Sequence, residues 1–497
     1  MENFTEAEYN RLIENIFQRF PSFQKYGSAG YHPGLDNMKT FDDALGNPHG
    51  KYATIHVAGT NGKGSVSSMI ASALSAMGYK TGLYTSPHLK DFRERAKICE
   101  GGGYRMIPKE RVYEFCSRWG GTMDRLGLSF FEITTAMAFD WFAAENVDIA
   151  VIETGLGGRL DSTNIISPVL SVITGIGLDH CDILGHTLSE IAFEKAGIIK
   201  PETDAVIWKR DEATAGVFVK QAEECGLMTT AKKHDADAKD AERPTEDEDR
   251  PMKDEDRPMK DEDRPMKRLY FADMDFNGPQ FRMEDGMMTG IDEMVERIYP
   301  RLDLQGKYQR TNLKTVLAAL QVVKNNLPQP ETHTFDLKTL EDALENTAKR
   351  TGLRGRWEKI SDNPLTIMDI GHNADGMEQN FRQLNEMTEK DGYSLIMVYG
   401  TMADKDYAAV MRMIPSKAKV IFTNASSRRA LPAAKAAETA EALGIRAEAV
   451  CPSVAEAVSC ALKLADRLGA NGEKPMIYIG GSAFVVAEAM ETLDSRR

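Results

Sequence analysis

Short apolar runs alternate with longer amphipathic segments along most of the 497-residue chain. Residues 52–58 form an apolar run that ends in a glycine-rich turn, and residues 147–153 and 170–176 are β-branched runs typical of strands buried in a parallel sheet. After the turn, apolar side chains recur at helical spacing at Val66, Met69, Ile70, Ala73, Leu74 and Met77. Residues 131–144 also predict a helix. Strands separated by helices predict βαβ units, and therefore an α/β fold with a parallel sheet.

The alternating pattern starts again late in the chain. Four further apolar runs lie at residues 365–370, 394–399, 419–423 and 475–479, with mostly helix-like segments between them. They predict a second, smaller Rossmann-like α/β domain. Before it, the segment TGLRGRW at 351–357 holds two glycines within four residues, which favours a hinge. We therefore predict a P-loop-type, parallel-sheet domain at 1–350, a linker at 351–357 and a C-terminal domain at 358–497.

One segment fits neither predicted domain. The heptapeptide DEDRPMK occurs three times in succession, at residues 247–253, 254–260 and 261–267. A proline in every copy excludes a coiled coil, and so charged a composition cannot bury enough surface to fold. We predict a disordered surface insertion at 232–267, produced by tolerated repeat expansion rather than by selection for binding.

Composition limits the classes of partner. The formal net charge of -14 argues against nonspecific nucleic-acid binding, which needs a basic face. The sequence contains no apolar stretch long enough for a membrane span, and the N-terminus lacks the features of a signal peptide. Six scattered cysteines without a CxxC pair favour reduced thiols, so we expect a cytoplasmic protein.

The glycine-rich turn after residue 58 is the strongest candidate site. A strand–turn–helix unit directs backbone N–H groups and the positive end of a helix toward phosphate charges, and a lysine can neutralise phosphate oxygens. We therefore predict that ATP binds the residues of this loop, which are Gly59, Thr60, Asn61, Gly62, Lys63, Gly64 and Ser65. Gly64 separates Lys63 from Ser65, unlike the common P-loop pattern, and a simple tight βα turn is the alternative.

The segment HVAGTNGKGSVSSMI around this loop resembles the Mur-ligase superfamily, and within it the folylpolyglutamate synthase/dihydrofolate synthase branch. Further blocks agree with that branch in the same order: YTSPHLKDFRERAKI, FFEITTAMAF, ETGLGGRLDSTN, GIGLDHCDILGHTLSEIAFEKAGIIK, GKYQRTN, LRGRWE, DIGHNADG and GTMADKD. They span nearly the whole chain outside 232–267. Together they are far more specific than the loop alone.

This resemblance implies an ATP-dependent ligase that adds L-glutamate to dihydropteroate, to the glutamate tail of a reduced folate, or to both, through an acyl phosphate. It implies ATP and Mg²⁺ as cofactors, with a monovalent cation such as K⁺ as a further candidate, and a monomer. A muramyl-peptide ligase is the nearest alternative, but the loop at residue 59 leaves little room for the uridine-nucleotide domain of those enzymes. A nucleotide-gated binding protein without ligase activity would not need the later blocks.

The resemblance also implies roles for individual residues. From position alone, Glu153 ends a predicted strand and could bind Mg²⁺ or simply be a solvated acid. The family pattern implies Ser86, Glu153 and His180 as metal ligands. It implies further ATP contacts at Asn312, Arg356 and Asp369, and catalytic roles for Lys63, His372 and Lys195, the last as a lysine carboxylated by CO₂. It implies substrate contacts at Leu35, Phe130, Phe131, Leu160, Asp161 and Ser162, although both phenylalanines could be core residues.

Overall fold

The computed structural model describes residues 5–21, 27, 33–229, 267–276, 278–282, 288–324, 326–327 and 336–495. The predicted insertion at 232–267 lies outside the described residues apart from Lys267. The described strands form one eight-stranded sheet, one six-stranded sheet and a small two-stranded sheet. Both large sheets are covered by helices, which confirms the predicted α/β class, while the domain boundaries at 351 and 357 stay predictions.

The first sheet carries the glycine-rich loop on a central strand. Its strands are β1 (Ala53–Ala58), β2 (Thr81–Tyr84), β3 (Ala96–Glu100), β4 (Gly103–Met106), β5 (Ile149–Glu153), β6 (Leu170–Ile173), β7 (Asp204–Ile207) and β8 (Leu269–Phe271). They lie in the order β4-β3-β2-β5-β1-β6-β7-β8, and β1 pairs in parallel with β5 and β6. Among the described strands of this sheet, the antiparallel pairings are those of β3 with β2 and with the edge strand β4. Because charged residues interrupt both β3 and β4, neither contains an apolar run.

Helices cover both faces of this sheet. They are α1 (Glu6–Arg19), α2 (Asp36–Leu45), α3 (Lys63–Ala76), α4 (Lys109–Leu126), α5 (Phe130–Ala144), α6 (Cys181–Leu184), α7 (Leu188–Ala196), α8 (Ala215–Glu224), α9 (Ile291–Ile298), α10 (Gln309–Val323), α11 (Leu337–Glu345) and α12 (Thr347–Thr351). The two-stranded antiparallel sheet of β9 (Pro279–Arg282) and β10 (Met288–Gly290) precedes α9.

Helix α3 is buried more completely than its sequence predicts. The apolar stripe beginning at Val66 packs in the core, but the serines between its members, including Ser67 and Ser72, are also fully buried. Helix α3 contacts the sheet as well as α10, α11 and α12, so it has no solvent face. The Ser72 hydroxyl donates to the Ala343 carbonyl (2.7 Å), which satisfies a polar group that would otherwise be costly to bury.

The second sheet contains the four late runs and two further strands. Its strands are β11 (Glu358–Asp362), β12 (Leu365–Asp369), β13 (Tyr393–Tyr399), β14 (Lys419–Phe422), β15 (Ala447–Val450) and β16 (Lys474–Gly480), in the order β11-β12-β16-β13-β14-β15. Strand β11 is antiparallel to β12, and the other pairings are parallel. The edge strands β11 and β15 were not predicted because exposed side chains interrupt them and neither holds an apolar run.

The helices of the second sheet are α13 (Ala374–Lys390), α14 (Tyr407–Arg412), α15 (Ala433–Ala442), α16 (Val454–Ala470) and α17 (Ala483–Asp494). Two apolar clusters, one around Val398 and one around Tyr399, pack on opposite faces of the sheet. Each fully buried aliphatic side chain contributes about 1.5–3 kcal/mol. Within the described residues, no helix is both long and apolar enough to cross a bilayer.

The two large sheets meet at the carboxyl ends of their strands. The loop after β1 contacts the loop after β12, since the Asn61 and Asn373 side-chain amides exchange hydrogen bonds of 3.1 and 3.0 Å. In parallel sheets, ligands bind beyond the carboxyl ends of the strands. The topology therefore directs attention to the space between the two edges.

Candidate active site

The glycine-rich loop is closely packed against its neighbours. A Cβ atom built on Gly59 would lie 1.8 Å from Thr174 Oγ1, and one built on Gly62 would lie 2.4 Å from Asn312 Oδ1. Both glycines have positive φ angles, +153° and +92° respectively. Gly62 directly precedes α3, so the loop presents the N-terminus of a long helix to the cleft. This is the geometry that binds phosphate groups.

Lys63 is held within the loop. Its Nζ donates to the carbonyl oxygens of Gly59 (2.9 Å) and Thr60 (3.3 Å). Burial lowers the pKa of Lys63, while the nearby carboxylates of Glu153, Asp179 and Asp161 oppose that shift. An ammonium group surrounded by carbonyls and acids at a helix N-terminus is well placed to neutralise an incoming anion.

Lys195 approaches the same loop from α7. It is buried, and its Nζ donates to the Gly59 carbonyl (2.9 Å), the oxygen that also accepts from Lys63. Burial and the neighbouring Lys63 charge lower the pKa of Lys195 to about 7. A large fraction of this side chain is therefore a neutral amine near neutral pH, which is unusual for lysine.

Of the three predicted metal ligands, Ser86 and Glu153 are in direct contact, and His180 lines the same cavity as Ser86. The Glu153 carboxylate is buried at the end of β5 and accepts the Ser86 N–H (3.2 Å). Burial raises the pKa of Glu153, and the charges of Lys63 and Arg356 oppose the shift. Burial lowers the pKa of His180 to about 3, so its imidazole is neutral and can act as a ligand. A hydroxyl and a carboxylate are typical Mg²⁺ ligands, whereas an imidazole is less usual.

Asn312 and Arg356 flank the loop from two sides. The Asn312 side chain is buried over Gly62, and its Nδ2 donates to Gln309 Oε1 (2.8 Å). Gln309 in turn donates to the hydroxyl of Ser65 (3.1 Å). The Arg356 guanidinium reaches the loop from the linker, since a Cβ built on Gly64 would lie 3.0 Å from its Nη2.

Asp369 differs from the other predicted nucleotide contacts, because protein donors already occupy both of its oxygens. Oδ1 accepts the Gly371 N–H and an Asn380 Nδ2–H, both at 2.7 Å. Oδ2 accepts the Tyr308 hydroxyl (2.6 Å) and the Trp357 N–H (2.8 Å). Asp369 therefore joins the linker, the loop after β12 and the start of α10.

Asp179 is the main charged link across the cleft, and the sequence-based prediction omitted it. The Asp179 carboxylate forms an ion pair with Lys405 and accepts from Asn373 Nδ2 (3.1 Å), and its Oδ2 lies 3.3 Å from His372 Nε2. Burial opposes its ionisation, but the His372 hydrogen bond and the Lys405 charge hold the pKa of Asp179 well below its usual range. Asp179 lies in the GIGLDH block and Lys405 in the GTMADKD block, so the block pattern was the available signal.

A cavity of about 610 Å³ adjoins this link. It is lined by predicted residues from all parts of the chain, namely Ser86, Phe130, Phe131, Leu160, Asp161, Ser162, His180 and His372. Leu35 is not among the lining residues; it is half-buried immediately before α2. The lining also contains groups that were not predicted as site residues, including His88, Lys405, Arg428, Arg429 and Ser482.

Phe130 is both a core residue and a cavity wall. It is almost fully buried, and the Arg95 guanidinium lies 5.1 Å from its ring centroid, within the range of a cation–π contact. Arg95 Nε donates to His88 Nδ1 (2.8 Å), and burial, followed by the Arg95 charge, lowers the pKa of His88 to about 3. A neutral His88 can accept this bond. Aromatic and cationic groups therefore share one wall of the cavity.

Asp161 lines the cavity mainly as a support for its wall. Its Oδ2 accepts the N–H groups of Gly155 (2.9 Å) and Leu156 (2.8 Å), and its Oδ1 accepts the N–H of Thr163 (3.0 Å). These hydrogen bonds fix the GLGGR turn, and that turn sets the positions of Leu160 and Ser162. Most of the acceptor capacity of Asp161 is thus used within its own loop.

A glycine-rich loop at a helix N-terminus on one sheet, a second sheet that faces it and a cavity beside their contact are typical of an ATP-dependent ligase. Family models agree: the Mur ligase middle domain matches residues 109–253, and the Mur ligase glutamate ligase domain matches residues 355–471. A dihydrofolate synthase/folylpolyglutamate synthase of Bacillus subtilis is 31% identical over 405 residues, which cover 79% of this chain and 81% of that protein. The chain belongs to the folylpolyglutamate synthase/dihydrofolate synthase family of Mur ligases.

Other relatives support the same membership. The structure of a Mycobacterium tuberculosis folylpolyglutamate synthase complexed with ADP matches with a TM-score of 0.75 at 25% identity, covering 99% of both chains. A probable bifunctional folylpolyglutamate synthase/dihydropteroate synthase of Haloferax volcanii is 30% identical over 466 residues. That match covers 93% of this chain but 48% of the Haloferax protein, so the chain spans about half of that relative.

Proposed function

We propose that this enzyme joins the amino group of L-glutamate to a carboxylate of dihydropteroate and of reduced folates, driven by ATP with Mg²⁺. The names of the relatives support these substrates, and so does the site. The observation that carries the proposal is the cavity, whose lining includes the Phe130 and Phe131 rings together with Lys405 and Arg429. Flat apolar walls suit a pterin, and cations suit the carboxylates of glutamate.

The proposed reaction has two balanced steps. A substrate carboxylate oxygen attacks the γ-phosphorus of ATP, which forms an acyl phosphate and releases ADP. The glutamate amine then attacks the acyl carbon, the amide bond forms, and phosphate leaves while the amine loses a proton. The protein contributes mainly by positioning the reactants and neutralising charge, and Lys63 and Arg356 are cations that lie at the loop.

His372 is the proposed catalytic residue of the second sheet. Its Nδ1 lies 3.1 Å from the Ile370 carbonyl, and its Nε2 faces the cavity edge at Asp179. This orientation supports a contact between His372 and the transferred phosphate or the incoming glutamate. Asn312 and Asp369 support nucleotide binding differently: Asn312 lies over the loop, whereas Asp369 orients the residues around it.

Ser86, Glu153 and His180 would hold the Mg²⁺ ion, which when bound would neutralise phosphate charge. The buried Glu153 carboxylate supports this assignment, because its charge needs a counter-ion. Lys195 has the neutral amine that is required to take up CO₂ as a carbamate with loss of a proton. We also place the reaction in the cytoplasm, which the six free cysteines favour.

The test is release of phosphate by the purified enzyme with ATP, Mg²⁺ and L-glutamate. One reaction contains dihydropteroate, a second contains tetrahydrofolate, and a third has no pterin. We expect release in the first two reactions and new glutamylated products by mass spectrometry. Release with neither substrate would contradict the proposed function, and release with only one would limit it to a single synthase activity.

A further inference from the structure

Lys97 is a buried lysine in the YTSPHLKDFRERAKI block, and neither the family resemblance nor the proposed mechanism gives it a role. It lies on β3 and is 4% exposed. Its Nζ donates to the backbone carbonyls of Thr351 (2.9 Å) and Gly352 (3.3 Å), and lies 5.5 Å from the Tyr104 ring centroid. The hydrogen-bond partners of this ammonium group are therefore main-chain oxygens at the end of α12 rather than a carboxylate.

These two carbonyls lie at the end of α12, where the chain enters the linker. The last carbonyls of a helix have no partner within the helix, so an external donor fixes them. Gly352 is further enclosed by Tyr104, since a Cβ built on Gly352 would lie 2.3 Å from that ring. Strands β3 and β4 of the first sheet therefore hold the point at which the chain enters the linker.

The far end of the linker is held by the second sheet. The Gly355 carbonyl accepts the Ile370 N–H (3.0 Å), and the Gly355 N–H donates to Glu358 (2.8 Å). Arg356 follows directly, with its guanidinium over Gly64. The segment that carries Arg356 is thus held at both ends. Lys97 is the charged residue that holds its first end, on the sheet that carries the phosphate loop.

We propose that Lys97 is a positioning residue, which fixes the start of the linker so that Arg356 stays over the phosphate loop. Lys97 itself contacts no substrate. Charge-assisted hydrogen bonds are stronger than neutral ones and are shielded from water here, so they resist displacement of the linker. This inference rests on the proposed function only for its kinetic readout.

The experiment compares Lys97→Met, which keeps the aliphatic stem, with Lys80→Met. Lys80 is a matched control because its Nζ also donates to a carbonyl at a helix end, that of Glu145, away from the linker. We expect Lys97→Met to lower kcat/KM for ATP by at least about tenfold, with the KM for dihydropteroate and the melting temperature close to those of Lys80→Met. Lys97→Arg, which keeps a charged donor, should recover part of the loss.

A double-mutant cycle with Arg356→Ala distinguishes positioning from a general structural role. If Lys97 acts through Arg356, the double variant loses no more activity than Arg356→Ala alone. The proposal would be overturned if the fold-losses in kcat/KM of the two single variants multiply in the double variant. It would also be overturned if Lys97→Met leaves the kinetic constants unchanged. Limited trypsin digestion gives a readout without catalysis: cleavage after Arg354 should be faster in Lys97→Met than in Lys80→Met. Equal cleavage would overturn the proposal even if the enzyme has other substrates.

Discussion

At the scale of single residues, burial determines the chemistry of the site. Lys63, Lys195 and Glu153 are ordinary titratable residues in the sequence, but the fold buries Lys195 and Glu153 and half-buries Lys63 at one sheet edge. The same burial leaves His180 neutral. Electrostatic interactions that water would screen become stronger when water is excluded. Enzyme activity should therefore be sensitive to substitution of each of these residues.

Lys63→Ala should lower kcat by at least about 100-fold, because Lys63 is part of the loop itself and is the first residue of the helix that begins there, so its charge lies where phosphate would bind. Steady-state phosphate release measures the effect, and circular dichroism checks the fold. Lys51→Ala, at an exposed lysine just before β1, is the control. A Lys63→Ala enzyme with activity like that of the control would refute the loop assignment.

Glu153→Gln should raise the Mg²⁺ concentration needed for half-maximal activity by roughly tenfold or more, since it replaces an anionic ligand with a neutral group of the same shape. A Mg²⁺ titration of phosphate release measures this. Glu100→Gln, at an exposed residue, should leave the titration unchanged. A Mg²⁺ dependence identical in both variants would remove Glu153 from the proposed metal site.

At the scale of elements, the conformation of the β1–loop–α3 unit depends both on its own sequence and on the elements packed against it. The apolar run, the glycines and the helical spacing predict the strand, turn and helix from local preference. The close approach of Thr174 and Asn312, however, comes from β6 and α10. Gly59 and Gly62 are therefore required by packing as well as by their backbone angles.

Gly59→Ala should destabilise the protein by roughly 2–4 kcal/mol, because its new Cβ meets Thr174 Oγ1 in addition to the unfavourable φ angle. Gly127→Ala is the matched control: Gly127 also has a positive φ but has open space around its Cβ position, so its cost should be about 1 kcal/mol. Urea unfolding measures both. An equal decrease in the free energy of unfolding in both variants would show that the contact with Thr174 adds nothing to the cost.

At the scale of the whole molecule, the site is completed only where the two sheets meet. Asp179 and Asn61 from the first sheet contact Lys405, His372 and Asn373 from the second. A further hydrogen bond joins the Tyr308 hydroxyl to Asp369. These contacts therefore set the relative positions of the side chains that a substrate bound between the two sheets would contact.

Asp179→Asn should lower kcat/KM for glutamate by at least about tenfold, because the link to Lys405 loses its charge and the two edges are held less firmly. Asp362→Asn, at an exposed residue paired on the surface with Lys359, should behave like the unmodified enzyme. Initial rates at varied glutamate concentration provide the comparison. Equal rates in the two variants would show that this charged link is dispensable.

Replacing residues 232–266 with a short Gly/Ser linker should leave kcat within about twofold, since the repeats cannot bury a core. The flanking segments are paired, with the Met228 N–H donating to the Lys267 carbonyl (2.8 Å), so a short linker can connect them. The measurement is phosphate release by the shortened and full-length chains. A large loss would assign the repeats a role in catalysis.

The sequence by itself determined the α/β class, the strands that bear apolar runs, the phosphate loop and, through ordered blocks, the ligase family. These features are local, or they are carried by motifs whose residues are contiguous. The edge strands β4, β11 and β15, and β3 beside β4, escaped prediction because they are short and lack an apolar run. The roles of the individual site residues stay predictions.

Only the tertiary structure decided which polar groups share the cleft. Asp179 and Lys405 are 226 positions apart, and Lys97 and Thr351 are 254 apart, so no local pattern signals either contact. The bond from Tyr308 to Asp369 likewise joins residues 61 positions apart. Long-range packing sets the burial and hydrogen-bond partners of each side chain, and these determine whether it supports the site or faces the substrate.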